Sequence, residues 1–287
     1  MTLKELIDEY RRSPDYKNLR HSTQHIYDRG YAELLQAVSV NSSLHGMDGT
    51  SESLDTYRRG ILKVRDALAD RPALANQFLT AVSVLMNFAV DRGYRQDNPA
   101  LRIKRLPIGE WKAWTEQEIS SFVKRGTRPS TTFLSLGLYT GQRKADIIKL
   151  TWPTYSSGCL HITQQKTGKA LQIPCHPNLQ KELNHLSGGV EGLSGPILRN
   201  IHGDPLTASN FSRIWQAEIK RLHMQGLTFH GLRKTAARRL AEAGCTEAEI
   251  MAITGHTTTA MVSYYVKQAN QKIMADNAMS KLVGYVG

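Results

Sequence analysis

Thr228 to Tyr265 reads TFHGLRKTAARRLAEAGCTEAEIMAITGHTTTAMVSYY, and this stretch decides how the rest of the chain is understood. It brings His230, Arg233, His256 and two tyrosines into one short segment. A helix opening at His230 places Arg233 three positions on, nearly on the same face, because residues three or four apart are neighbours on a helix surface. One face then offers an imidazole and a guanidinium together. Gly255 and His256 follow, and Tyr265 stands nine residues beyond His256 (265 − 256 = 9), with Tyr264 beside it.

Working outward, 287 residues are enough for two domains of ordinary size. Lysine and arginine total 37 against 25 acidic residues, a net charge of +12. That balance favours a polyanionic partner such as nucleic acid, although a merely cationic surface gives the same sum. Cys159, Cys175 and Cys245 are odd in number, widely spaced and without a C-x-x-C pair, which argues against a disulfide framework or a zinc site. The opening MTLKELIDEYRR has charges where a secretion signal needs an apolar core. No apolar run approaches the roughly eighteen residues needed to span a bilayer. The expectation is a cytoplasmic protein with reduced thiols and no membrane partner.

Upstream, Thr2 to about Leu101 reads as helices with polar breaks. Leu3, Leu6, Ile7 and Tyr10 recur at helical spacing, and Ser22 to Val38 carries Ile26, Tyr27, Tyr31, Leu34, Leu35 and Val38. NSSLHGMDGTSES, Asn41 to Ser53, has the composition of a turn-forming connection. Helices follow over Ser53 to Ala69 and Pro72 to Asp91, the second with an apolar stripe of Phe78, Val82, Leu85, Met86, Ala89 and Val90 that reads as core. Arg92-Gly93 stops it, and Asp97-Asn98-Pro99-Ala100 turns the chain. RIKRLPIGE, residues 102–110, is interrupted by Pro107 and Gly109 and carries Arg102, Lys104 and Arg105. It is either a linker touching a DNA backbone or a solvated connection. Thr115 with Glu118 three residues later forms a capping-box pattern, so a second domain opens there.

In that domain a helix over Thr131 to Tyr139 runs into Thr140-Gly141-Gln142-Arg143. Arg143 follows a glycine turn and opens a new periodic segment, where free backbone amides and a guanidinium together suit a phosphate. A plain salt-bridged arginine is the other reading. Gly158 to Pro174 alternates as a hairpin, Leu160 and Ile162 against Leu171 and Ile173, with Lys166 at the Thr167-Gly168 turn, a position ordinarily left to solvent. A short helix from Asn178 to Leu186, the Gly-rich SGGVEGLSG, and an amphipathic helix from Pro205 to Met224 lead back to the starting stretch. His176, His185, His202 and His223 have no metal-binding spacing, so no metal is expected.

His-x-x-Arg at 230 and 233, Gly-His at 255 and 256, and a tyrosine nine residues on resemble the tyrosine recombinases, the phage-integrase family. Thr-Gly-x-Arg at 140–143 resembles that family's first box, with Asp146 where a glutamate is usual, and Lys234 stands where many members have histidine. NFAVDRGYRQDNPA resembles the end of its helical core-binding domain. The resemblance runs from about residue 3 to 287. It implies a mainly α fold with a small β component: a helical core-DNA-binding domain over 1–104, a basic linker over 105–111, and a mixed α/β catalytic domain with a C-terminal tail over 112–287.

The chemistry implied is cleavage and rejoining of DNA through a 3′-phosphotyrosyl intermediate. A tyrosine hydroxyl has a reference pKa near 10, so attack on phosphorus needs a site that accepts developing negative charge. Arg143 and Arg233 present planar, permanently charged forks that match phosphate oxygens. By resemblance, Lys166 protonates the 5′-oxygen leaving group, His230 assists proton transfer at the tyrosine, His256 hydrogen-bonds a phosphate oxygen, and Tyr265 rather than Tyr264 is the nucleophile. No cofactor is implied. The implied partners are double-stranded recombination sites, a homotetramer on DNA built through the tail after Asn270, and accessory DNA-bending or directionality proteins. That tail either packs on a neighbouring subunit or docks on its own domain. Arg238 and Arg239 either contact phosphates or form a solvated helix face. With helix from residue 2 or 3, no separate arm-binding domain is expected. Integration or excision of a phage or mobile element is the implied role. A type IB topoisomerase-like enzyme and an inactive DNA-binding relic are the alternatives.

Overall fold

The computed structural model of the chain describes residues 1–38, 51–190, 192–267, 269 and 271–283. Most of the turn-rich connection expected at Asn41 to Ser53 lies outside them. The chain divides into two units, Met1–Glu110 and Trp111–Gly287.

The first unit is helical: α1 (Leu3–Arg12), α2 (Pro14–Lys17), α3 (His21–Ala37), α4 (Ser51–Ala67) and α5 (Pro72–Asp91). Thr2 and Glu5 start α1 with a reciprocal capping box, satisfying amides that have no partner within a helix. The spacing read from the sequence buries Leu3, Leu6, Ile7 and Tyr10, and the Tyr10 ring meets Tyr16, Tyr31 and Phe88 edge-on. Gly30 lets α3 approach α5 closely, since a Cβ there would come within 2.9 Å of the Ala81 Cβ.

One expectation needs correction. α5, 20 residues with an 18-residue window of mean hydropathy 1.5, is long and apolar enough to cross a membrane by length and composition. Asn76, Gln77, Thr80 and Ser83 break its apolar stripe in sequence without adding charge, so it did not read as one run. It is the core helix of this unit, with Phe78, Val82, Leu85, Met86 and Ala89 buried. Beyond it Asn98 organises the Asn-Pro-Ala turn, donating to the Ser83 carbonyl at 3.0 Å and accepting from the Ala100 amide at 2.8 Å.

The basic segment also differs from a free linker. Asn76 holds Leu106 by two hydrogen bonds of 2.8 and 2.9 Å, and Arg105 donates to Thr80 Oγ1 at 2.9 Å. Residues 105 and 106 are therefore strapped to the helical unit, which ends later than residue 104.

The second unit contains α6 (Glu116–Arg125), α7 (Ser130–Thr140), α8 (Lys144–Ile147), a 3-10 turn (Trp152–Thr154), strands β1 (Tyr155–Ser156), β2 (Cys159–Thr163) and β3 (Ala170–Pro174), then α9 (Pro177–Ser187), α10 (Ala208–Arg221), α11 (Phe229–Glu242), α12 (Glu247–Thr254), α13 (Thr259–Lys267) and α14 (Gln271–Val283). The antiparallel sheet runs in order β1-β2-β3, with Leu160 opposite Ile173 and Ile162 opposite Leu171, the register the alternation predicts. The fold is thus mainly helical with a small sheet, as expected.

Its core stacks Phe122, Trp215, Phe211 and Phe133 across α6, α10 and α7. Trp114, fully buried, donates its indole N–H to the Thr228 carbonyl at 2.9 Å and its amide to Thr235 Oγ1 at 2.7 Å. These bonds fix both ends of the first half of α11. Gly231, between His230 and Arg233, has no room for a side chain against the Lys112 carbonyl and the Trp114 ring.

Candidate active site

The centre is built on two backbone carbonyls. Gly141 ends α7 in a left-handed conformation (φ 62°), turning its carbonyl inward, and Thr254 ends α12 just before Gly255 (φ 70°). Arg233 Nη1 donates to both, at 2.7 Å to Gly141 O and 2.5 Å to Thr254 O. Its side chain is 2% exposed, and Nη2 has no hydrogen-bond partner among the described residues. A buried guanidinium nitrogen without a partner is costly unless something else meets it.

Two glutamines brace the end of α12 beside it. Gln142 Nε2 donates to Ile253 O at 2.8 Å, and its Oε1 accepts from Gln164 Nε2 at 2.6 Å. Gln164 Nε2 also donates to Thr254 O at 3.0 Å, while Gln164 Oε1 accepts from Thr167 at 2.8 Å and from Arg143 Nη1 at 3.3 Å. Asp146, buried behind Arg143, accepts from the Gln165 amide at 2.8 Å. The hairpin bearing Lys166 is therefore tied through residues 164 and 165 to the arginine turn.

α11 opens with Thr228 as cap, accepting from the Gly231 amide at 3.1 Å, so His230 lies in the first turn and Arg233 one turn on. His256 is buried after the Gly255 turn, its Nδ1 2.7 Å from Thr254 Oγ1. Tyr265, on α13, has its ring centroid 5.4 Å from that of His256. Tyr264 turns instead to Lys234, whose Nζ lies 5.1 Å from the ring centroid.

The electrostatics follow from crowding cations in a desolvated place. Burial first, then Arg233, Arg143, His230 and Lys169, push His256 down to about 3. Burial and Arg143 lower Arg233 to about 10, with Tyr265 and Asp146 opposing. His230, at the mouth of the site, is lowered by lost hydration first and then by Arg233, Arg143, Lys234 and Lys166. An anion would relieve all three.

The structure thus gathers Arg143, His230, Arg233, His256 and Tyr265, with Lys166 exposed on the hairpin turn and close enough for its charge to act on His230. Arg102, Lys104 and Arg105 are exposed in the helical unit. Arg238 and Arg239 prove to be neither a solvated face nor free cations. Arg239 pairs with the Glu116 carboxylate, and Arg238 donates to Trp114 O at 2.9 Å and lies 3.6 Å from Glu242.

Gln142, Gln164 and Thr254 carried no role in the sequence reading. For Gln164 a signal existed: the period of two that buries Leu160 and Ile162 also turns residue 164 inward, where a polar side chain must find partners. Lys169 was likewise passed over, although its charge acts on His256.

Two arginines, two histidines and a tyrosine around one unpartnered guanidinium nitrogen are the makings of a phosphoryl-transfer centre. The chain belongs to the phage integrase family, the tyrosine recombinases, whose model matches residues 114–272. By that membership it is a site-specific recombinase of the tyrosine class. Over 280 residues it is 24% identical to the shufflon-specific DNA recombinase of Escherichia coli, covering 92% of this chain and 68% of the relative. It is 41% identical over 197 residues to the virulence plasmid integrase pGP8-D of Chlamydia muridarum (strain MoPn / Nigg), covering 66% and 58%. The fold is similar to that of a lambda integrase(75-356) dimer bound to a COC′ core site, with a TM-score of 0.77 at 21% identity, covering 93% of this chain and 95% of that one.

Proposed function

We propose that the chain cleaves and rejoins double-stranded DNA at recombination sites, with Tyr265 attacking a phosphate held by Arg143 and Arg233. One observation carries this reading: Arg233, anchored on two carbonyls by one nitrogen, leaves Nη2 buried and, among the described residues, unpartnered beside Arg143, His256 and Tyr265. As Tyr265 Oη bonds to phosphorus, the bond to the 5′-oxygen breaks and Lys166 protonates the departing oxygen. Fixed guanidinium donors stabilise the charge that accumulates on the phosphate. His230 assists proton transfer at the tyrosine, and His256 hydrogen-bonds a phosphate oxygen. The strand break is stored as a phosphotyrosyl ester, so exchange is nearly isoenergetic and consumes no ATP.

The helical unit, with Arg102 and Lys104 exposed, serves as the core-DNA-binding domain. Assembly into a homotetramer on DNA runs through α14. Asn277 donates to the Glu242 carbonyl and Lys281 to that of Gly244, while Met279 and Leu282 stay 62% and 56% exposed. The helix is held by polar bonds to its own unit and offers its apolar side chains outward. A structural neighbour, a lambda integrase tetramer bound to a Holliday junction, is of the assembled kind. The setting is cytoplasmic, in integration or excision of a mobile element, with accessory proteins setting direction.

The test is a nicked suicide duplex made from the DNA junctions flanking the gene. The expected result is a covalent complex on the 3′-phosphate and strand exchange between two sites. Supercoil relaxation without exchange would indicate a topoisomerase, and occupancy without any cleavage a DNA-binding relic.

A further inference from the structure

α13, which carries Tyr265, is nine residues long, too short for a helix to be stable by itself. It must be held by what it packs on. Val262 is one anchor, fully buried in a cluster with Ala237 and Ala241 of α11 and Ile250 of α12, while the other side chains of α13 stay half-buried or exposed. Ser263 adds a hydrogen bond of 2.6 Å to Glu247 at the start of α12. Tyr264 points to a third side, because each residue turns about 100° round the helix. There it meets Lys234, which is buried on the face of α11 that also bears Ala237 and Ala241, one and two turns on. Lys234 Nζ lies 5.1 Å from the centroid of the Tyr264 ring. An ammonium within about 6 Å of a ring centroid is attracted to the electron-rich face, most strongly out of water. The same ring meets that of Tyr265 edge-on, 5.6 Å between centroids.

We propose that Lys234 is a positioning residue: its ammonium, held over the face of the Tyr264 ring, locks the roll of α13 against α11 and so fixes where Tyr265 is presented. The consequence for Tyr265 rests on the strand-cleavage reading above; the contact itself does not. Lys234 directly follows Arg233, so the helix that carries the guanidinium proposed to hold the phosphate also grips the helix that carries the nucleophile. Clamp and tyrosine are thereby kept in register by adjacent residues of one element. A buried cation needs compensation, and an aromatic face contributes it without a carboxylate that would repel a phosphate. The charge of Lys234 also acts on His230, which puts it at the edge of the same site. Tyr264 then has a use distinct from that of its neighbour: its ring is needed and its hydroxyl is not.

The experiment replaces Tyr264 in the full chain by phenylalanine carrying zero, one, two and three ring fluorines, a series that keeps the ring and drains its face of negative potential. Hydrogen exchange of the α13 amides is measured without DNA, and single-turnover cleavage with the nicked duplex. Tyr264→Phe should exchange and cleave within about threefold of wild type, since the ring face survives loss of the hydroxyl. Along the fluorine series exchange should quicken stepwise, by roughly twofold to thirtyfold in total, with cleavage falling in the same order and gel-shift binding unchanged. Lys234→Met, which keeps the length of the side chain without its charge, should quicken exchange as the third fluorine does and abolish the dependence on fluorine when the two are combined. Exchange in α13 that ignores fluorine content or the loss of the ammonium would overturn the proposal, as would cleavage by an active chain that ignores the series. Absence of covalent trapping by the wild-type chain, with exchange still following the series, would instead defeat the strand-cleavage reading and leave the contact between Lys234 and Tyr264 standing.

Discussion

The two halves of the active site are built differently. Arg233, His256, Gln142 and Gln164 are buried and hydrogen-bonded into the ends of α7 and α12, where each has a fixed partner on the main chain or on another side chain. Lys166 and His230 are exposed, and Tyr265 is half-buried on α13. The division follows the chemistry. Groups that stabilise charge gain most from being held rigid and dry, whereas groups that exchange protons with the leaving oxygen and the nucleophile must reach the substrate. On the proposed reading, the buried half is a clamp assembled before DNA arrives and the exposed half is presented to it.

The sharpest way to break this contrast is to attack the clamp. Arg233→Ala is expected to lower single-turnover cleavage on the order of 10²- to 10³-fold, while site binding in a gel-shift titration changes far less; equal losses would make Arg233 an anchor only. Lys166→Ala, on the presented side, should cost on the order of a hundredfold without moving the thermal midpoint. A substrate with sulfur in place of the 5′-leaving oxygen should restore the rate, because a thiolate leaves without being protonated. Failure of that rescue would remove Lys166 as the acid.

Gln164→Ala tests the brace between the halves. It leaves Arg143, Gln142 and the Thr254 carbonyl short of partners, so unfolding in denaturant should show a loss of about 1–3 kcal/mol. No measurable loss would mean the buried network contributes little. The pH dependence of stability is a smaller effect with a definite sign. The folded value of His256, about 3, lies below its ordinary 6.5, so the unfolded chain binds the extra proton and stability falls as pH drops below 6.5. His230 is shifted the same way. Glu218, held at about 2 by Arg221 and Thr127, contributes its loss only below the ordinary carboxylate value of 4.5. Between 6.5 and 4.5, then, His256→Asn should flatten the fall in thermal midpoint, and an unchanged slope would contradict the burial argument.

How much of this the sequence disclosed divides along the same line. Helix spacing, the hairpin alternation and the Thr115–Glu118 capping box were all readable, because each depends on residues a few positions apart. The side chains proposed for the site could be named in the same way, since His-x-x-Arg and Gly-His each fall within one short motif. The brace was not readable in the same way. Gln142 to Gln164 and Arg233 to Gly141 are pairings across separate elements, and a glutamine has no spacing that announces its partner. The pairing of Arg238 and Arg239 with Glu116, more than a hundred positions away, was hidden for a related reason: nothing in the spacing of two basic residues on a helix announces it. The length of the helical unit was also short by a few residues, because the bonds from Asn76 to Leu106 close a loop that composition alone reads as a linker.

The account stands or falls on which hydroxyl joins the DNA. Tyr265 faces His256 and lies within electrostatic reach of Arg233, whereas Tyr264 faces Lys234, although the two are adjacent in sequence. The decisive measurement is peptide mapping of the covalent complex trapped on a nicked duplex by the wild-type, Tyr265→Phe and Tyr264→Phe chains. The account predicts DNA attached at Tyr265 in the wild type and in Tyr264→Phe, and no complex from Tyr265→Phe with DNA binding retained. A complex that persists in Tyr265→Phe and disappears in Tyr264→Phe would contradict it.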